Sequence, residues 1–183
     1  ALINPIMPKE VMLDVRPITQ TSQMERLPGY GSLILKQTPI NKGDVLIIHS
    51  VSGRNTIAID MALKAKEKGV YLIALTNIKY SEALASRHES GKRLYEIADI
   101  VIDNCGDFED ASTTIEGLNQ KVAPTSTIAG AFIVNSLVIE CVENLVKEKV
   151  YGVMKPYVKV RKSTLNEDSG LIGAGYLAFS KEK

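Results

Sequence analysis

Three short apolar runs punctuate the chain, Asp44-Val45-Leu46-Ile47-Ile48, Val70 to Leu75, and Asp99-Ile100-Val101-Ile102-Asp103. The first follows the turn signal Pro39-Ile40-Asn41-Lys42-Gly43 and precedes Ser and Gly residues. Its unbroken, β-branched character predicts a central parallel strand buried on both faces. Between the first two runs, Ile57, Ile59, Met61, Ala62, Ala65 and Lys66 keep a helical spacing, and Gly69 ends the pattern. After Thr76-Asn77, Gly91 to Ala98 predicts a short helix. Pro124-Thr125-Ser126-Thr127 supplies start signals for a long apolar helix over Ile128 to Val146, apolar nearly all round and so expected to be buried. Ahead of the first run, Leu2 to Met7 predicts a short strand. Ser22 to Arg26 predicts a helical turn, and Gly29 to Thr38 a loop followed by another.

Strands alternating with helices at this spacing predict an α/β fold with a doubly wound parallel sheet. In such sheets ligands bind beyond the carboxyl ends of the strands. Ser50, Thr76 and Asp103, each at the end of a run, are therefore the first residues to examine.

Composition narrows the function classes. A chain of 183 residues fits one core with a small appendage, here 1–150 and 151–183. Its 22 Lys and Arg against 21 Asp and Glu are interspersed, and it has no Trp, so neither the basic stripe nor the stacking platform of a nucleic-acid binder is expected. Cys105 and Cys141 match no zinc spacing and are expected to be reduced and buried, so no metal is called for. No run of about 18 apolar residues is evident, which gives the expectation of a cytoplasmic protein with no membrane partner. The dinucleotide and Walker phosphate-binding patterns are both missing, and no cofactor is expected.

The candidate chemistry lies in Ser50-Val51-Ser52-Gly53-Arg54-Asn55-Thr56. Three hydroxyls, a glycine and an arginine stand between a strand and a helix start, where backbone N–H groups lack intrahelical acceptors and carry partial positive charge. A cation beside a helix N-terminus opposes the dipole by about 0.3–1 kcal/mol, and a bound anion reverses that cost. Capping of the helix by Ser52 or Asn55, with no ligand, uses the same residue types. For acid–base work the chain offers His49, His88 and Glu116; His88, in a loop, is easier to bring over a ligand than His49, held in a strand.

Ser50-x-Ser52-Gly53 after an apolar strand, Thr76 ending the next, and Ser86-Arg87-His88-Glu89-Ser90-Gly91-Lys92-Arg93-Leu94-Tyr95 together resemble the SIS domains of sugar isomerases. The likeness is greatest to a bacterial group related to phosphoheptose isomerase, and Asp99 to Gly106 and Gly117 to Thr127 share it. It implies a flavodoxin-like sheet, cytoplasmic carbohydrate metabolism, and a homodimer or higher homo-oligomer. It also implies a phosphorylated sugar held by Ser50, Ser52, Gly53, Arg54, Asn55 and Thr56, with Thr76 lining the pocket. Isomerisation would use His88 and Glu116. The family's opening strand and Gly-rich turn have no counterpart, so a sheet without its first strand is expected. Lys159 to Ala178, with its Thr164-x-x-Glu167 box, resembles the terminal helix of ROK-type sugar kinases and predicts a helical extension; no kinase phosphate loop accompanies it.

Overall fold

A computed structural model describes residues 3–12 and 14–145. The chain divides after Gly130 into two units. The first contains helices α1 (Thr19–Met24), α2 (Tyr30–Gln37), α3 (Thr56–Glu67) and α4 (Ile78–Glu82) and strands β1 (Val45–His49), β2 (Tyr71–Thr76) and β3 (Ile100–Asp103). Helix α5 (Ser126–Leu145) begins in the first unit and continues into the second. The expected boundary near residue 150 and the kinase-like tail lie outside the described residues.

The three strands form a parallel sheet in the order β1-β2-β3, with Val45 beside Tyr71 and Ile73 beside Ile100. This is the expected α/β architecture. The three apolar runs became the three strands because each is short, β-branched and closed by a polar residue. Helix α3 stops at Glu67, and Gly69 follows at φ 73°, a left-handed position that closes a helix without a Cβ penalty.

One face of the sheet carries the core. Leu46 and Ile48 of β1 and Leu72 and Ala74 of β2 pack with Ile34 and Leu35 of α2 and with Ala58, Met61, Ala62 and Ala65 of α3. Leu35, Ala62, Ala65, Leu72 and Ala74 are fully buried. Asp99 ties the layer together at its lower end: its carboxylate accepts the Leu72 N–H at 2.8 Å and pairs with Lys66.

The opposite face corrects the expectation for β1. Val45 and Ile47 are exposed, so the strand is buried on one side and, among the described residues, lies at the edge of the sheet. An apolar run records that both faces suit burial; whether each is covered depends on a second layer contributed from elsewhere. The start of α5 does reach this face, because a Cβ on Gly130 would lie 2.3 Å from His49 Cε1.

Other expectations change as well. Residues 3–8 form no strand. The turn expected after Gly29 is the complete helix α2, and the helix expected over Gly91 to Ala98 contracts to a single 3₁₀ turn, Leu94–Glu96. Both cysteines are exposed, Cys105 on the loop after β3 at φ 52° and Cys141 on α5, so neither packs as a buried hydrophobe. Of α5, only Ser126 and Gly130 are buried, while Ile128, Phe132, Ile139 and Val142 are exposed. At 20 residues this helix is long and apolar enough to cross a membrane by length and composition, unlike the expectation from inspection of runs.

Candidate functional site

The site is built where β1 ends. His49 closes the strand, Ser50 donates its backbone N–H to the Leu75 carbonyl at 3.0 Å, and Gly53 donates back to the Ser50 carbonyl at 3.1 Å. Gly53 adopts φ 58°, which lets the chain reverse toward α3. The turn is clamped from β2 as well, since the Asn77 N–H and the Thr76 hydroxyl both donate to the Val51 carbonyl, at 3.0 and 2.9 Å.

This folding leaves a group of donors unused. The backbone N–H groups of Val51, Ser52, Arg54, Asn55 and Thr56 have no acceptor among the described residues, and neither do the side chains of Ser50, Ser52 and Arg54. Partly exposed, Ser50, Ser52 and Arg54 meet solvent. Successive unpaired N–H groups at a helix start form a natural anion-binding concavity. The donor set is less complete than the sequence implies in one respect: the Ile57 N–H, in the first turn of α3, is taken by the Glu25 carbonyl at 3.1 Å.

Three residues expected to touch a ligand are used inside the protein. Thr76 is fully buried, with its hydroxyl spent on Val51, so it supports the turn from beneath rather than lining a pocket. Thr56 is 2% exposed, and its hydroxyl donates to the Arg87 carbonyl at 3.2 Å. Asn55 does not cap α3 with its side chain; its amide donates to Glu25 Oε2 at 2.8 Å and accepts from Arg87 Nη1 at 2.7 Å. A short polar side chain binds backbone or ligand equally well, and the close approach of β2 and of the 86–92 loop decides the matter here.

That loop also fixes His88. The side chain is 8% exposed, and its Nε2 lies 3.0 Å from Oδ1 of Asp60, a buried α3 residue. On the other side of the ring, Nδ1 accepts the Ser90 N–H at 3.0 Å and lies 2.8 Å from Ser90 Oγ. An Nδ1 that accepts must be unprotonated, so Nε2 carries the proton and donates it to Asp60. The imidazole thus pins the loop to α3 instead of swinging over a ligand. Glu116 sits in an exposed turn within the loop closed by the Thr113–Val122 bridge and makes no hydrogen bond or ion pair to a described residue. No contact unites it with His88.

Asp60 and Arg87 were not singled out in the sequence. An acid inside the apolar stretch Ile57-Ala58-Ile59-Asp60-Met61-Ala62 was the available signal, because a buried carboxylate requires a partner. Asp110 was missed for a different reason. It adopts φ 55° and caps α5 by accepting the Ser126 N–H at 2.9 Å and the Ser126 hydroxyl at 2.5 Å, a contact made across 16 positions.

His49, exposed at the end of β1 but approached by Gly130 at the start of α5, has its pKa lowered below the ordinary 6.5 by partial desolvation, against an opposing pull from Asp110. The unfolded chain therefore takes up a proton first on acidification. His49's contribution to stability is complete above about pH 6.5 and is lost as pH falls through the lower folded pKa. Denaturant unfolding at pH 7.5 and pH 5 is expected to show a smaller loss for His49→Gln than for the parent; an equal loss removes His49 as a cause.

Among the described residues no group of three or more His, Cys, Asp or Glu is arranged to hold a metal ion. The segment that builds the turn, from the chain start through β1, α3 and β2, matches the SIS domain family over residues 1–77. The chain is also 56% identical to a UPF0309 protein of Shouchella clausii over 145 residues, covering 79% of this chain and 59% of that protein. It is 55% identical to a UPF0309 protein of Oceanobacillus iheyensis over 143 residues, covering 78% of this chain and 58% of the relative. A UPF0309 protein of Listeria innocua is 40% identical over 148 residues, covering 81% of this chain and 60% of its own length. The chain thus spans less than two thirds of these bacterial relatives, and the segment that matches the SIS domain family contains the whole Ser50–Thr56 turn.

Proposed function

We propose that this SIS-domain chain binds a phosphorylated sugar, with the phosphate seated on the turn from Ser50 to Thr56. The observation that carries the reading is the set of five unpaired N–H groups beside the free Ser50 and Ser52 hydroxyls and the Arg54 guanidinium. Water solvates such a set, but a phosphate dianion satisfies several donors at once and offsets the cost of a cation at the N-terminus of α3. The exposed face and outer edge of β1 suit assembly with further chain, in keeping with a homo-oligomer.

Glucose 6-phosphate and fructose 6-phosphate serve as probes. At about 100 times its dissociation constant a ligand adds roughly 2.7 kcal/mol to stability, a shift of several degrees in the melting temperature. Ser52→Ala combined with Arg54→Ala is expected to weaken binding at least about tenfold, because charge-assisted hydrogen bonds contribute about 1.5–3 kcal/mol each. Absence of any shift or heat with either sugar phosphate overturns the proposal.

Isomerisation is a second reading, favoured by the Asp60–His88 pair: a carboxylate fixes one tautomer and leaves the Nδ1 lone pair as the basic site. Its use requires Ser90 to leave Nδ1. Interconversion of the two probes, lost in His88→Ala, supports this reading, and binding without interconversion restricts the chain to a binding role.

A further inference from the structure

The strongest unexplained charge arrangement lies beside the turn. The Arg87 N–H donates to the Arg54 carbonyl at 3.0 Å, which joins the two backbones at this point. On the other flank the Glu25 carbonyl accepts from Ile57, bringing Glu25 and Arg26 to the first turn of α3. The backbones of Arg26, Arg54 and Arg87 thus meet at the helix start, close enough for the charges of Arg54 and Arg26 to act on the Arg87 guanidinium. One carboxylate, Glu25, accompanies them, and its hydrogen bond goes to the Asn55 amide rather than to an arginine.

The cluster strains against itself. Arg87 has its pKa lowered by burial first, then by the nearby charges of Arg54 and Arg26, with Glu25 opposing. Neither Arg26 nor Arg54 has an anionic partner among the described residues. The hydroxyls and N–H groups of the turn already suffice for one phosphate. Arg87 keeps one bond, from Nη1 to Asn55 Oδ1, which aims its plane while leaving its other N–H groups available. Asn55 thereby acts as a spacer: it holds Arg87 in place and donates its amide to Glu25, which forms no direct ion pair with Arg87.

We propose that Arg87 and Arg26 form a second anion subsite, so that the preferred ligand is a phosphosugar bearing another negatively charged group, either a second phosphate or a carboxylate. This rests on the phosphosugar reading given above. Bidentate recognition of phosphate or carboxylate is the chemistry to which a planar guanidinium is suited, and a lysine at either position would not reproduce it.

Titration calorimetry on the full chain with fructose 6-phosphate and fructose 1,6-bisphosphate tests the second phosphate, and glucose 6-phosphate against 6-phosphogluconate tests the carboxylate. At least one doubly anionic ligand is expected to bind about tenfold tighter than its singly charged partner, with an advantage that shrinks as salt is raised. Arg26→Ala should erode that advantage while leaving the affinity for the monophosphate within about twofold, and Arg87→Ala should erode the advantage as well. Arg26 is exposed and its side chain makes no hydrogen bond or ion pair to a described residue, so its variant guards against a loss caused by misfolding. Equal affinity within both pairs, or an advantage untouched by both substitutions, overturns the second subsite and leaves phosphosugar binding standing. Failure of all four ligands to bind overturns both.

Discussion

Gly53→Ala is expected to destabilise the protein by about 2–5 kcal/mol and to abolish the proposed phosphosugar binding. Two costs add. The backbone at φ 58° is left-handed, where an L-residue with a Cβ loses roughly 1–2 kcal/mol. The new methyl also meets Ser81 Oγ at 2.9 Å, Thr76 Oγ1 at 3.2 Å and Leu94 Cβ at 3.4 Å. None of these yields easily. Ser81 and Leu94 are fully buried, and Thr76 is held to the Val51 carbonyl. Overpacking of this kind costs about 1–3 kcal/mol. Because Gly53 links the Ser50 carbonyl to Leu94 through its own N–H and carbonyl, relief of the clash shifts the turn and scatters the unpaired donors.

The control is Gly43→Ala. Gly43 has φ 88°, also left-handed, yet a Cβ there meets nothing within 4 Å. It should lose about 1–2 kcal/mol and retain binding. Denaturant unfolding and calorimetry on the two variants separate conformational strain from crowding at the site. Equal stability and equal binding in both would sink the account of Gly53 as the buried pivot of the turn.

What the sequence reveals about this site follows from how local each feature is. The strand–turn–helix unit is legible because the run Val45–Ile48, the Ser/Gly turn and the spacing from Ile57 to Ala65 are all local. The donor-rich turn is legible for the same reason. Occupancy of those donors is not local. Whether Thr56, Thr76 or Asn55 faces a ligand depends on Arg87 and Val51, brought close by tertiary folding. The same holds for the exposed side of β1, since an apolar run cannot report whether its second face is covered. His88 illustrates the limit best. Its loop position was visible, but the Asp60 carboxylate that immobilises it is 28 positions away and one layer below.

Gly31→Ala carries the other large expected effect, and here the sign itself is informative. In an exposed helix interior, replacing glycine with alanine stabilises by about 1 kcal/mol, since glycine is the poorer helix former. Gly31 is buried within α2 where that helix crosses α3. A Cβ there would sit 2.2 Å from the Ile57 carbonyl oxygen and 2.7 Å from Asp60 Cβ. The first of these is backbone in the opening turn of α3 and cannot rotate away, so α2 has to lift off. Lifting it loosens Ile34 and Leu35 from the core. We expect a net loss of about 2–4 kcal/mol, placing this substitution among the more damaging ones. The displacement should also reach the site, because Ile57 follows Thr56 and shares a hydrogen bond with Glu25, while Asp60 holds His88. Weakening of the proposed phosphosugar binding, measured well below the unfolding transition, is therefore expected together with the lower stability. A variant as stable as the parent would show that α2 and α3 can separate there at little cost, and the rigid support assigned to the turn would no longer stand.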